Sequence, residues 1–330
     1  WSTSATGVNA MSGTTTTTTS DALNFGTSTD GLATGNITVT GNLSAGSITF
    51  GSASGNITLT TANQTITLGT GGVITVDSSY ATIVPKIAGS NGLTKNGTGT
   101  LVVPIPSTYS GTTTVNGGTL RLENLTTNGG ADLKNTPGSN FLINNGSTLV
   151  IHSNAGGNNR VVSNNDTFTF DSNGGGTLEW SKGNMLLQGG NTHRFVTNGG
   201  SQNVMTTTNG AYLNGQNGAG LAEFNVADGS DAVDLLASTY FTNIFITKNG
   251  TGTMSITTTS GGSYAITVEQ GVLDVGGSAT LNGGTFSANL TTNGTFSYSS
   301  SAAQTLSGLI QGTGNLTKSN TSTLTLSGNN

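Results

Sequence analysis

Residues 92–122 read GLTKNGTGTLVVPIPSTYSGTTTVNGGTLRL, and this stretch decides the fold. It holds four short runs, at 92–94, 100–103, 112–115 and 119–122, in which apolar residues alternate with Thr. Corners rich in Gly, Asn and Ser, at 96–99, 107–111 and 116–118, separate them. A period of two gives each run one apolar face and one hydroxyl-bearing face, the pattern of a half-buried strand. Strands this short cannot bury a face alone, so they must stack on similar neighbours.

The phrase recurs. Residues 246–256 read ITKNGTGTMSI and residues 316–326 read LTKSNTSTLTL. Its surroundings recur as well, since Ile87-Ala88-Gly89 sits eight residues before Lys95 and Ile310-Gln311-Gly312 sits eight before Lys318. Downstream, Tyr109 is followed by Gly-Thr-Leu-Arg-Leu from Gly118, and Tyr264 by Gly-Val-Leu-Asp-Val from Gly271. Three copies of a multi-part phrase exceed what a Gly- and Thr-rich composition yields by chance. The copies lie at 84–122, 244–275 and 306–330, and their repeated charge, Lys95, Lys248 and Lys318, is expected to decorate a corner of each unit.

The phrase and its lead-in, LSGLIQGTGNLTK at 306–318, resemble the autotransporter-associated β-strand repeat. That repeat occurs in passenger regions of bacterial autotransporters and in other large secreted bacterial surface proteins. The likeness covers roughly a third of the chain: good at 84–122, good but interrupted at 306–330, and loose at 244–275. It implies an all-β, right-handed parallel β-helix (a β-solenoid) located outside the cell or at its surface. It implies no particular activity, because the repeat is a scaffold on which functions differ.

Composition agrees with an extended object. Charged residues make up 7% of the 330 residues, against about 25% in ordinary soluble domains. Regularly placed Ile, Val, Leu and Phe between the 52 glycines argue against disorder. A net charge of −5 without a Lys/Arg cluster disfavours nucleic-acid binding. Cysteine is absent, which a solenoid held by continuous sheets tolerates. No stretch approaches the about 18 consecutive apolar residues of a membrane helix, so no membrane insertion is expected within this segment.

Two regions follow from the patterning. Residues 1–30, with an unbroken threonine run at 14–19, read as an irregular capping or joining segment. Residues 31–330 read as a single solenoid with few or no helices and a divergent middle at 123–243. Strands are expected at 35–40, 47–50, 55–60, 65–68 and 73–76, then at 140–143, 148–151, 167–170, 177–180, 185–187, 193–197 and 222–226. Coils of about 20 residues, some 15 of them, would make a rod of roughly 70 Å. Pro104 and Pro106 mark a loop leaving the rod. Val233, Leu236 and Tyr240 at helical spacing leave 227–241 open between a short helix or projecting loop and a coil corner.

Candidate sites are sparse. Asp228, Asp231 and Asp234 could gather oxygen ligands for Ca²⁺, although neither common calcium-loop pattern is present and a turn or cap explains them as well. Asp166 and Asp171, with Arg160, His193 or Arg194 nearby, could serve polysaccharide cleavage only if the two carboxyls lay about 5–10 Å apart. His152 and His193 stand alone, and no acyl-transfer nucleophile motif occurs. Trp180, Phe195, Tyr212 and Tyr240 would form a glycan-stacking strip if they shared an exposed face, whereas aromatics inside a β-helix stack in its core. No catalytic residue and no cofactor is expected.

The expected role is a structural stalk or fibre subunit at the bacterial cell surface, joined head to tail with copies of itself through its ends. The phrase stops partway at Asn330, so further coils or a second subunit are expected to cover that edge. The alternative is an adhesin passenger whose loops at 104–110 and 227–241 contact host, matrix or surface glycans. A polysaccharide-degrading enzyme or phage tailspike ranks third.

Overall fold

The computed structural model of the protein describes residues 17–124, 131–132, 140–153, 160–163, 165–188, 190–216, 220–262 and 265–330. It is a parallel β-solenoid. Thr113–Val115 lies on Leu93–Asn96, and Thr119–Asn124 lies on Thr100–Val103, so one copy of the phrase is one coil plus the start of the next. Stacking of this kind builds two long sheets. The first has 14 strands, from Ala22–Phe25 to Ile310–Gln311, and the second has 13, from Gly35–Thr38 to Asn315–Lys318. Among the described residues the helical content is one 3₁₀ turn, Asn282–Gly284.

In-register parallel pairing puts equivalent positions one above another, so like residues form columns. Phe141, Phe168, Phe195 and Phe224 are paired partners in successive coils. Their rings stack at 4.8, 5.5 and 4.9 Å between centroids. All four are buried, and each contributes roughly 1.5–3 kcal/mol by leaving water. Outside the core, amides form a second column. Asn116 Nδ2 donates to Asn96 Oδ1 at 2.8 Å, twenty residues away, and Asn144 Nδ2 donates to Asn116 Oδ1, twenty-eight away.

That change of spacing marks the middle of the chain. There the longer coils carry a third sheet of five strands: Ala131–Asp132, Arg160–Ser163, Asn184–Gln188, Leu213–Gln216 and Phe241–Thr242. A short fourth sheet, Thr285–Phe286, Gln304–Leu306 and Leu324–Leu326, closes the last coils. Coils longer than 20 residues also explain why the second sheet has 13 strands and not some 15.

The expected strands are present, with adjusted ends. Residues 65–68 and 73–76 belong to one twelve-residue strand, Thr65–Val76, whose pairing shifts register opposite Ala45 and Ser47. Residues 227–241 contain no helix; bends lead into Leu235–Ser238. Leu236 stands in that strand at intermediate burial, and Leu235 and Ala237 face the core, so the local alternation overrides the helical spacing. Residues 104–110 do not leave the rod. Thr108 N–H donates to Ile87 O and Ser110 N–H to Gly89 O, both at 2.9 Å, which ties this corner to the coil below. Strand Ala22–Phe25 pairs with Leu43–Phe50, so solenoid pairing reaches into the expected leader. Residues 1–16, Pro137, Asn158, Asn159, Asn164 and Tyr264 lie outside the described residues.

Candidate functional site

The repeated lysine points inward. Lys95 sits two residues after Leu93, on the same buried face of Leu93–Asn96. Its Nζ donates to the carbonyls of Asn96 (3.0 Å), Gly97 (2.9 Å) and Gly117 (3.0 Å). The first two belong to its own corner and the third to the next coil. Lys248 repeats the arrangement with Asn249 O (2.9 Å), Gly250 O (2.8 Å) and Gln270 O (3.1 Å). An ammonium offers three N–H groups, and each finds a carbonyl. Burial pushes both ammonium groups down to about 8, opposed by the charges of Asp77 and Asp234 respectively. Lys318 is exposed and donates to Ser319 O and Asn320 O.

The expectation that these lysines decorate the surface therefore fails for Lys95 and Lys248. The corner turns through Gly97 and Gly250 at φ of 83° and 78° and aims its carbonyls at the interior. Buried carbonyls need donors, and lysine reaches two coils at once. The signal was present in the alternation, which places Lys95 on the face of Leu93.

The third sheet builds a different feature. Tyr212 and Tyr240 directly precede its last two strands, and Leu213 N–H donates to Tyr240 O at 3.0 Å. Coil stacking thus sets one tyrosine above the other, with ring centroids 5.9 Å apart and planes at 77°. They line an open groove of about 670 Å³ together with Thr207, Asn214, Thr242 and Asn243. Asn243 Nδ2 donates to Asn214 Oδ1 at 3.0 Å, an amide pair at the third sheet separate from the column at Asn96, Asn116 and Asn144.

The remaining candidates take structural positions. Trp180 is 1% exposed and meets Phe168 and Phe195 edge-on at 6.3 and 6.2 Å. The proposed aromatic strip is corrected accordingly: Trp180 and Phe195 face the core, because Trp180 shares the inward parity of Leu178. Asp234 is buried and accepts from Gly229 N–H and Thr253 N–H, both at 2.7 Å. Asp231 is exposed and accepts from Gln202 N–H at 2.6 Å, and Asp228 is exposed. Among the described residues no three His, Asp or Glu side chains converge on a common point for a metal. Asp166 and Asp171 lie beyond opposite ends of Thr167–Phe170. Five residues of extended chain span roughly 16 Å, beyond the about 5–10 Å of a hydrolytic carboxylate pair. His152 and His193 are buried, and Arg194 pairs with Glu223 at 3.2 Å.

Residues 93–122 match the passenger-associated-transport-repeat family. Neither the curated proteins nor the solved structures contain a match to the chain. The match and the stacked parallel sheets together fit a passenger-type repeat protein of the autotransporter kind. The structure extends the repeat beyond the matched residues. Ile244–Asn249, Thr253–Ile256, Ile266–Val268 and Val272–Val275 follow the order of the four strands at 93–124, with the same lysine cage. Such repeats belong to secreted or surface proteins, and no helix among the described residues is long and apolar enough to cross a membrane.

Proposed function

We propose that this chain is the scaffold portion of a secreted, surface-displayed passenger, a stalk that holds material away from the bacterial cell. The observation carrying this reading is the continuity of its two long sheets, each stacked 13 strands deep, with lysines bonding coil to coil. A continuous ladder resists bending, and each coil needs only its neighbours. The stalk is non-catalytic on this reading, a role in keeping with the repeat family. Copies of the chain would join head to tail on this reading, strand pairing strand across the contact.

Labelling intact cells of the source bacterium with an antibody to the solenoid tests the location. Surface label, with thin rods in electron micrographs of the released protein, is the expected result. Label seen only after permeabilisation would overturn the assignment, and monodisperse single rods would remove the head-to-tail contact while leaving the stalk.

An adhesin is the second reading. The corners at 104–110 and 227–241 give it little support, since both are tied by backbone hydrogen bonds to neighbouring coils. What favours it is the tyrosine groove.

A further inference from the structure

Three features define the tyrosine groove. Although Tyr80, outside the groove, is exposed, many large aromatics turn inward: Tyr109, Tyr298 and the phenylalanine column are buried. Tyr240 instead keeps 37% of its surface exposed, and Tyr212 is half-buried beside it. Second, the rings stand nearly perpendicular, so one offers a face where the other offers an edge. Third, the next coil makes room. A Cβ on Gly261 would come within 2.0 Å of the Tyr240 hydroxyl, so only glycine lets this ring lie where it does.

The polar groups of the groove are as selective as its rings. Asn214 and Asn243 spend one amide bond on each other. Among the described residues the Asn214 Nδ2 and the Asn243 Oδ1 make no other hydrogen bond, and neither tyrosine hydroxyl makes any. The groove therefore offers donors, acceptors and two aromatic rings, and its lining contains no Lys, Arg, His, Asp or Glu. That set excludes a phosphate or carboxylate ligand, which would need a cation to offset its desolvation. It suits a molecule with a flat C–H face and a hydroxylated rim. At about 670 Å³ the groove falls within the size of small-molecule sites, about 300–1,000 Å³, and its openness admits a chain lying across it.

We infer that the groove between Tyr212 and Tyr240 binds a neutral carbohydrate, one or two pyranose units of a polysaccharide passing over the solenoid. A sugar face packs on a tyrosine ring, and the ring hydroxyls of the sugar bond to Asn214, Asn243, Thr207 and Thr242. The inference is independent of the stalk assignment, since a rod with or without this ligand is still a rod.

The test uses the whole chain against an immobilised panel of neutral glucose-, galactose- and mannose-based oligosaccharides, with uronate- and sialate-containing ones for comparison. Binding to at least one neutral oligosaccharide is expected, in roughly the millimolar range for a single unit. Tyr240→Ala and Tyr212→Ala should each weaken it roughly tenfold, the scale of one lost aromatic contact. Tyr240→Phe should keep most of it, and Trp180→Phe, in the core, should leave affinity unchanged provided the far-ultraviolet circular dichroism is unchanged. Absence of binding to every neutral member at millimolar sugar overturns the inference. So does a preference for the acidic ones, or equal binding by folded Tyr212→Ala and Tyr240→Ala variants.

Discussion

Lys95 and Lys248 show how a single side chain joins two coils. Replacing Lys248 by Met keeps the length of the chain but strands the carbonyls of Asn249, Gly250 and Gln270. Losing that cap while also removing a buried charge should cost about 2 kcal/mol locally. Amide exchange at the two coils around Gly250 and Gln270 should then accelerate roughly thirtyfold, with distant coils unchanged. Unchanged exchange would show that water replaces the lysine at no cost. The same lysines set a dependence on pH. Each titrates near 8 when folded, below the ordinary 10.5, so between those values the unfolded chain holds more protons and stability rises with pH. Below pH 8 the cost of the buried charge is felt in full. Tyr109 acts in the other direction, because burial holds its hydroxyl protonated well above its ordinary 10.0, so beyond that pH the unfolded chain ionises first. The melting midpoint should rise from about pH 8 to about pH 10 and fall above it. The double variant Lys95→Met/Lys248→Met should lose the rise, and a midpoint that falls steadily from neutrality would contradict the assignment.

At the scale of the element, corners decide whether a coil can close on its neighbour. Gly118 turns into Thr119–Asn124 at φ of 57°, and a Cβ there would meet Gly99 O at 2.4 Å. Gly146 lies in the corner before Thr148–Ser153, one coil on, at φ of 68°, with nothing within 4 Å of its Cβ position. Gly118→Ala should therefore cost about 3 kcal/mol in urea melting, through strain and forced separation of two coils. Gly146→Ala should cost about 1 kcal/mol, the backbone term alone. Equal costs would mean that coil spacing adjusts freely at corners. Such differences are invisible in sequence, where both positions read simply as Gly in a turn. Strands were far more legible. Thr167–Phe170 and Asn140–Ile143 follow from alternation to the residue. Alternation reports which face is buried but not which neighbour covers it, so Met185–Leu187 reads as a strand while its membership of a third sheet does not. Parity also separates Trp180, two places from buried Leu178, from Tyr212, which stands outside a strand.

The whole molecule behaves as a column of near-identical contacts, and its length should be editable in whole coils. Leu93 pairs with Thr113, so residues 93–112 form one complete coil that begins and ends at the same point of the rod. A tandem copy presents the same strands to the coil below and above, and its lysine finds the carbonyl equivalent to Gly117 O in the copy that follows. Nothing in the core changes identity across the new junction, since Leu93, Leu101 and Val103 stack on themselves. In a solenoid the energy is a sum over neighbouring coils, so each insertion adds a favourable interface and no long-range mismatch. Five inserted copies should lengthen the rod by about 24 Å, at about 4.8 Å per coil. Small-angle scattering reads this as an increase in maximum dimension with an unchanged cross-section. Increased width at constant length, or loss of the parallel-sheet circular dichroism, would show that the coils at 93–122 fit only their present neighbours and that the stalk is not built unit by unit.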